Sequence, residues 1–103
     1  MEERKLDIAV KSLNLAIQYN PKDFFAYNAL GLTYEAMGDF VKSSKAYKDA
    51  VRENERFFEA RDNLAKLLLK SGKFSEALEE FRYIAEETNN SNAYYNLGYA
   101  YYS

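Results

Sequence analysis

The sequence predicts an all-α chain of about six short helices arranged as antiparallel pairs, and three observations carry that reading. Apolar residues recur three and four apart along nearly all of the 103 residues, the spacing that lines one face of a helix. The pattern breaks at NPKD (20–23), MGD (37–39), RENER (52–56), SGK (71–73) and TNNS (88–91), where turn-forming and polar residues collect. Gly38-Asp39-Phe40 returns as Gly72-Lys73-Phe74 after 34 residues, and a fixed period of that length marks a repeated supersecondary unit.

The breaks leave helices near 5–19, 24–37, 40–54, 58–70, 74–87 and 92–102. The first places Ala9, Leu13 and Ala16 on one side and ends at Asn20-Pro21. Asp23 stands where its side chain can cap the amides of the second helix, whose core face is Tyr27, Leu30, Gly31 and Tyr34. Asp39 does the same for the third, which carries Ser43, Tyr47 and Ala50. The fourth repeats the second less closely, with Arg61, Leu64, Ala65 and Leu68, and the fifth carries Ala77, Phe81 and Ile84. Ser91 is the expected cap of the sixth, where Tyr94, Leu97, Gly98 and Tyr101 reproduce the face of the second. Antiparallel helices approach closely only where side chains are small, so Gly31 is expected to face Ser43 and Ala50, and Ala65 to face Ala77. One such pair buries too little to offset an ordering entropy of roughly 1–2 kcal/mol per residue, so the pairs must stack.

Composition narrows the functions open to the chain. Apolar residues make up 48% and charged residues 29%, which suits a folded domain with a core. Lys plus Arg is 14 against 16 for Asp plus Glu, giving a net charge of −2 without the cationic excess that phosphate backbones require. Nucleic acid is therefore not an expected partner. The absence of Cys and His removes disulfides, thiolate chemistry, imidazole catalysis and zinc-finger ligand sets, and neither a cofactor nor a metal is expected. The charged start MEERKLD leads into no long apolar run, and Leu67–Leu69 is too short to span a bilayer, so no membrane is expected and the cytoplasm is the default location.

The 34-residue interval with its aromatic, Leu, Gly, Tyr and Ala positions resembles the tetratricopeptide repeat (TPR). The resemblance covers essentially the whole chain as one domain: 5–23 is the second helix of a partial repeat, 24–57 and 58–90 are full repeats, and 91–103 is the first helix of another. It implies a right-handed superhelical solenoid with the first helix of each repeat lining a concave groove. It also implies a non-catalytic scaffold that binds a peptide or partner helix there, or an accessory segment of a larger enzyme or assembly. Glu55 and Asn89 stand where the family places Pro, and looser turns are expected there.

In the family register the groove positions are Phe25, Asn28, Leu32 and Glu35, then Asp62, Asn63, Lys66, Leu69 and Lys70, then Tyr95, Asn96, Tyr99 and Tyr102. Tyr95, Tyr99 and Tyr102 fall at i, i+4 and i+7, one helical stripe of rings with hydrogen-bonding tips. Asn63 and Asn96 sit one repeat apart, where an amide can bond an extended peptide backbone. Related repeats clamp a C-terminal carboxylate with a basic residue and an Asn on the first groove helix, an Asn on the second and two basic residues on the third; Asn28 and Leu32, then Lys66, then Tyr95 and Tyr99 stand at the comparable places, so the clamp is not expected. The unmated faces Ala9, Leu13 and Ala16, and Tyr94, Leu97, Gly98 and Tyr101, are expected to associate between copies. Catalysis has little support: Glu76, Glu79, Glu80, Glu86 and Glu87 fall on outer faces as solvated charge, and no nucleophile or phosphate-loop motif occurs.

Overall fold

The structure, a computed structural model, describes residues 3–103, so the first two residues of the charged start lie outside it. Among the described residues there are six α-helices and no strand. They are α1 (Glu3–Tyr19), α2 (Phe24–Ala36), α3 (Phe40–Glu53), α4 (Phe58–Lys70), α5 (Phe74–Thr88) and α6 (Ser91–Tyr102). The chain divides into two compact units, one up to Ala60 and one from Arg61 to Ser103.

In the first unit α2 packs against both α1 and α3. The closest approach is at Gly31, where a β-carbon would overlap the ring of Tyr47, and Ser43 Oγ donates to the Gly31 carbonyl at 2.7 Å. Gly31 thus meets Ser43, as the sequence suggests, and the ring of Tyr47. Tyr47, Ser43 and Ala50 are fully buried, and Ala26, Asn28, Leu30, Ala46 and Ala60 are buried with them in this unit. In the second unit α5 packs on α6, and the buried residues of the two helices are Ala77, Phe81 and Ala85 of α5 and Ala93 and Ala100 of α6. Arg61 ties α4 to α5: it donates to Glu80 Oε1 at 2.7 Å and its guanidinium lies 3.8 Å from the Tyr83 ring centroid. Glu80 is therefore held in an ion pair and is not the solvated outer charge its spacing suggests.

The turns show the repeat at backbone level. Gly38 and Gly72 take φ of 80° and 78°, a left-handed conformation that costs a glycine nothing. At the first, the amides of Gly38 and Asp39 bond the carbonyls of Glu35 and Tyr34; at the second, those of Gly72 and Lys73 bond Leu69 and Leu68. Both are the double hydrogen bond that closes a helix through a left-handed residue. Asn20 and Asn54 form a second matched pair, each side chain accepting from the amide two residues on, at 3.2 and 3.1 Å. Glu55 therefore sits in the same turn as Pro21, and the looser turn expected at 55 is not found, because Asn54 fixes the bend. At the last turn Asn89 is left-handed with φ 50°, a conformation asparagine tolerates.

Asp23 and Asp39 cap α2 and α3, accepting from the amides of Ala26 and Lys42 at 3.1 Å each. The cap of α6 is Asn90, not Ser91: its side chain accepts from the Asn92 amide at 2.8 Å and Ser91 is the first helical residue. The left-handed Asn89 turns the chain one residue earlier than the Ser-first reading requires.

Candidate functional site

The expected groove residues of the first unit divide into two kinds. Phe25 and Leu32 are exposed, at 66% and 48%. Phe25 belongs to a cluster with Phe24 and Phe57, ring centroids 4.6 Å and 5.2 Å away, which brings the start of α2 against the turn before α4. Asn28, expected to face a partner, is instead buried at 4% exposure, and its Nδ2 donates to Glu59 Oε2 at 3.0 Å. A neutral amide buried there is stable because it is bonded, and that bond joins α2 to the first turn of α4. Glu35 also works inward, its Oε1 accepting from the Tyr47 hydroxyl at 2.8 Å. Burial, then the hydrogen bond and charge of Glu35, push the Tyr47 hydroxyl well above the usual tyrosine range.

The second unit keeps more of its expected residues at the surface. On α4, Asp62 and Lys66 form an i, i+4 ion pair at 2.8 Å, Lys70 is exposed, and Asn63 and Leu69 are half-buried. On α6, Tyr95, Tyr99 and Tyr102 are 71%, 57% and 88% exposed, and the rings of Tyr95 and Tyr99 lie 6.5 Å apart at 31°. Asn96 is half-buried beside them. The helix carries no charged side chain from Ser91 to Ser103, so its outer face offers only ring surface, hydroxyls and amides.

The two faces expected to associate are open to different degrees. Ala9, Leu13 and Ala16 are half-buried, and the large exposed side chains of α1 are Ile8, Leu15 and Tyr19. On α6, Leu97 is half-buried, Tyr94 and Tyr101 are about half exposed, and a β-carbon at Gly98 would meet nothing within 4 Å. Arg82 Nη2 donates to the Tyr101 hydroxyl at 3.1 Å, so α5 already holds that ring. The residues α6 buries are Ala93 and Ala100, which the sequence reading passed over. Their signal was present, since Ala26, Ala60 and Ala93 recur at 34 and 33 residues and all three are buried.

Among the described residues, no group of three or more acidic side chains could hold a metal ion, and no helix is long and apolar enough to cross a membrane.

A family model for the tetratricopeptide repeat matches residues 28–92 and 63–103. The chain belongs to the tetratricopeptide repeat family. Over 90 residues this TPR chain is 32% identical to anaphase-promoting complex subunit 3 of Schizosaccharomyces pombe; the match takes in 87% of the chain and spans only 14% of the length of that subunit. Among solved structures, a thermophilic TPR protein of Thermus thermophilus superposes with a TM-score of 0.86 at 23% identity, over 99% of this chain and 55% of that one. The first TPR of Spaghetti, bound to an HSP90 peptide, gives 0.81 at 19% identity, over 95% of this chain and 79% of that one. MamA gives 0.79 at 22% identity, over 93% of this chain and 57% of that one. At these identities the superpositions establish the all-α TPR fold. The family consists of protein-interaction scaffolds, and the chain is one of its members by the match to the family model.

Proposed function

We propose that the chain is a non-catalytic scaffold that binds a peptide or partner helix, and that the tyrosine face of α6 is its principal contact surface. The observation that carries this reading is the exposed, charge-free row Tyr95, Tyr99 and Tyr102. Tyrosine supplies large contact area at low rotamer cost, and its hydroxyl bonds a peptide carbonyl without needing a charge. Asn63 and Asn96 are the backbone-reading amides of the second unit, and Asp62, Lys66, Leu69 and Lys70 are its flanking contacts. In the first unit Phe25 and Leu32 are contact residues, while Asn28 and Glu35 hold the helices that present them. The repeats run 24–57 and 58–90, between the half repeats 5–23 and 91–103.

The Spaghetti repeat was solved with the HSP90 peptide SRMEEVD, which is rich in carboxylates. The present chain has Tyr95 and Tyr99 where a carboxylate clamp needs basic residues, so its ligand is an uncharged or weakly charged segment. The test is a peptide array probed with the chain, followed by titration of the best binder against wild type and the Tyr95→Ser/Tyr99→Ser variant. At roughly 1 kcal/mol or more for each truncated ring at the centre of a contact, the variant is expected to bind at least tenfold more weakly with unchanged helicity. Equal affinity would remove α6 from the site.

A second reading, an accessory TPR segment within a larger assembly, is favoured by the relation to a subunit of the anaphase-promoting complex of which this chain matches a small part. On this reading Ala9, Leu13 and Ala16 of one copy, or of a neighbouring repeat, pack on Tyr94, Leu97, Gly98 and Tyr101. Light scattering over a concentration series tests the version between copies: mass should rise with concentration in wild type and stay monomeric in Gly98→Arg.

A further inference from the structure

The first unit contains a cleft of about 310 Å³ bounded by α1, α2 and α3. Ile17, Tyr27, Leu30, Tyr34 and Ala46 make its walls apolar, and Lys42, Lys45 and Asp49 stand along one side. By helical spacing Tyr27, Leu30 and Tyr34 lie on the side of α2 away from Phe25 and Leu32, so a ligand here leaves the partner face free.

Comparison of the two repeats explains why the space is open. Positions 27, 46 and 49 become Arg61, Glu80 and Tyr83 one repeat later. In the second unit those three long side chains fill one another's space, Arg61 bonding Glu80 at 2.7 Å and stacking 3.8 Å from Tyr83. In the first unit Ala46 ends at its β-carbon, and Asp49 is occupied by Lys45 at 3.0 Å and Arg52 at 2.7 Å. The long side chains that α3 brings to the cleft are Lys42 and Lys45, which line its side.

The charge at the mouth is not balanced. Asp49 shares its two oxygens between Lys45 and Arg52, while Lys42 lies 5.6 Å over the Tyr34 ring and only at 4.0 Å from Asp39. Of the charged residues that line the cleft, two are cations, Lys42 and Lys45, and one is a carboxylate, Asp49, while Arg52 also bonds Glu53 at 3.4 Å. The corresponding positions of α5 are Glu76 and Glu79, so the basic edge belongs to the first unit.

We propose that this cleft binds an organic carboxylate with an apolar body: a ring or branched chain among Ile17, Leu30 and Ala46, and its carboxylate on Lys42 and Lys45. The volume is at the lower end of the roughly 300–1,000 Å³ typical of ligand sites and admits a group the size of one amino acid. Release of Lys45 to the ligand leaves Asp49 still paired with Arg52. Two sources share this chemistry, a free small carboxylate and an acidic residue beside an aromatic one in a peptide.

The experiment is a titration of the 103-residue chain, labelled with ¹⁵N, with 3-phenylpropionate, with 3-phenylpropionamide and with N-acetyl-Phe-Asp-amide. The proposal expects saturable amide shifts at Ile17, Tyr34 and Ala46 with 3-phenylpropionate. It expects affinity roughly fivefold lower, or lost, with the uncharged amide and with the Lys42→Gln/Lys45→Gln variant, whose two exposed lysines carry no part of the core. Lys73→Gln, at an exposed lysine of the second unit outside the partner surface, should bind as wild type. Tighter binding of the dipeptide than of 3-phenylpropionate assigns the site to a peptide ligand, and the reverse order assigns it to a small metabolite; either supports the site. Absence of shifts at the cleft, shifts confined to the second unit, or equal binding of acid and amide would each overturn it.

Discussion

Gly31 and Tyr47 occupy a space that admits only one of their two side chains. A β-carbon at position 31 would overlap the Tyr47 ring and come within 2.9 Å of its Cγ, while Tyr47 is fully buried and has nowhere to retreat. Ring and glycine together set the distance between α2 and α3. Gly31→Ala should therefore lower stability although alanine is the better helix former by about 0.5–1 kcal/mol, because overpacking costs about 1–3 kcal/mol. Gly31→Leu should cost more. Urea denaturation measures both, and an unchanged midpoint in the pair would refute this account of the α2–α3 contact.

The same ring gives the fold a pH limit. Burial first, then the hydrogen bond and charge of Glu35, raise the Tyr47 hydroxyl above its unfolded value of about 10. A group whose folded value is raised contributes stability that is complete below the unfolded value and is lost as pH climbs toward the folded one. Tyr47→Phe should cost about 1.5–3 kcal/mol at neutral pH, the loss of a hydrogen bond to a charged acceptor. Above pH about 10 the gap between wild type and variant should close by up to about 1.4 kcal/mol per pH unit. Chemical denaturation from pH 8 to 11 checks it; a constant gap would mean that Glu35 does not hold the neutral phenol.

Arg61 is the second unit's substitute for an aromatic ring. Its side chain and that of Glu80 are only 12% and 21% exposed, so truncation of either strands a partly buried charge. Arg61→Ala should cost about 1.5–3 kcal/mol. Arg61→Lys should restore only part of that loss, because an ammonium lacks the flat, forked guanidinium that bonds Glu80 while lying on Tyr83. A double-mutant cycle with Glu80→Ala isolates the coupling, and additive effects would show that the pair does not act as a unit.

The helices and the 34-residue period were legible because both are written in positions of single residues: apolar spacing fixes the helix faces, and Gly38 and Gly72 fix two identical turns. The partners of individual side chains were less legible. Asn28 reads as a groove residue by register, yet Glu59 accepts from its amide, and nothing local to α2 announces an acceptor 31 residues away. The cap of α6 was ambiguous because Asn89, Asn90 and Ser91 can all accept from a free amide, and the left-handed backbone at Asn89 decides among them. Tyr94 and Tyr101 read as an unmated face and are exposed, but the residues that α6 buries, Ala93 and Ala100, were not singled out, because alanines carry little of the aromatic pattern that marks the repeat. The cleft in the first unit was invisible, being a space left by Ala46 and not a feature of any residue.

Gly98 occupies the position of Gly31 two repeats later, and the two glycines should respond oppositely to the same change. Where Gly31 is overlaid by a ring, Gly98 is exposed and a β-carbon there would touch nothing within 4 Å. Gly98→Ala should stabilise the isolated chain by about 0.5–1 kcal/mol, the usual gain from removing a glycine inside a helix, with the lower figure favoured because α6 ends four residues later at Tyr102. At high protein concentration the sign should reverse if another helix packs on this face as α3 packs on α2, since the added methyl would then meet the incoming backbone or ring. Thermal melts of wild type and Gly98→Ala at low and at high concentration separate the two states. Stabilisation that is equal at both concentrations would show that the face stays open, and would leave Tyr95, Tyr99 and Tyr102 as the binding surface of α6 without help from Tyr94 and Tyr101.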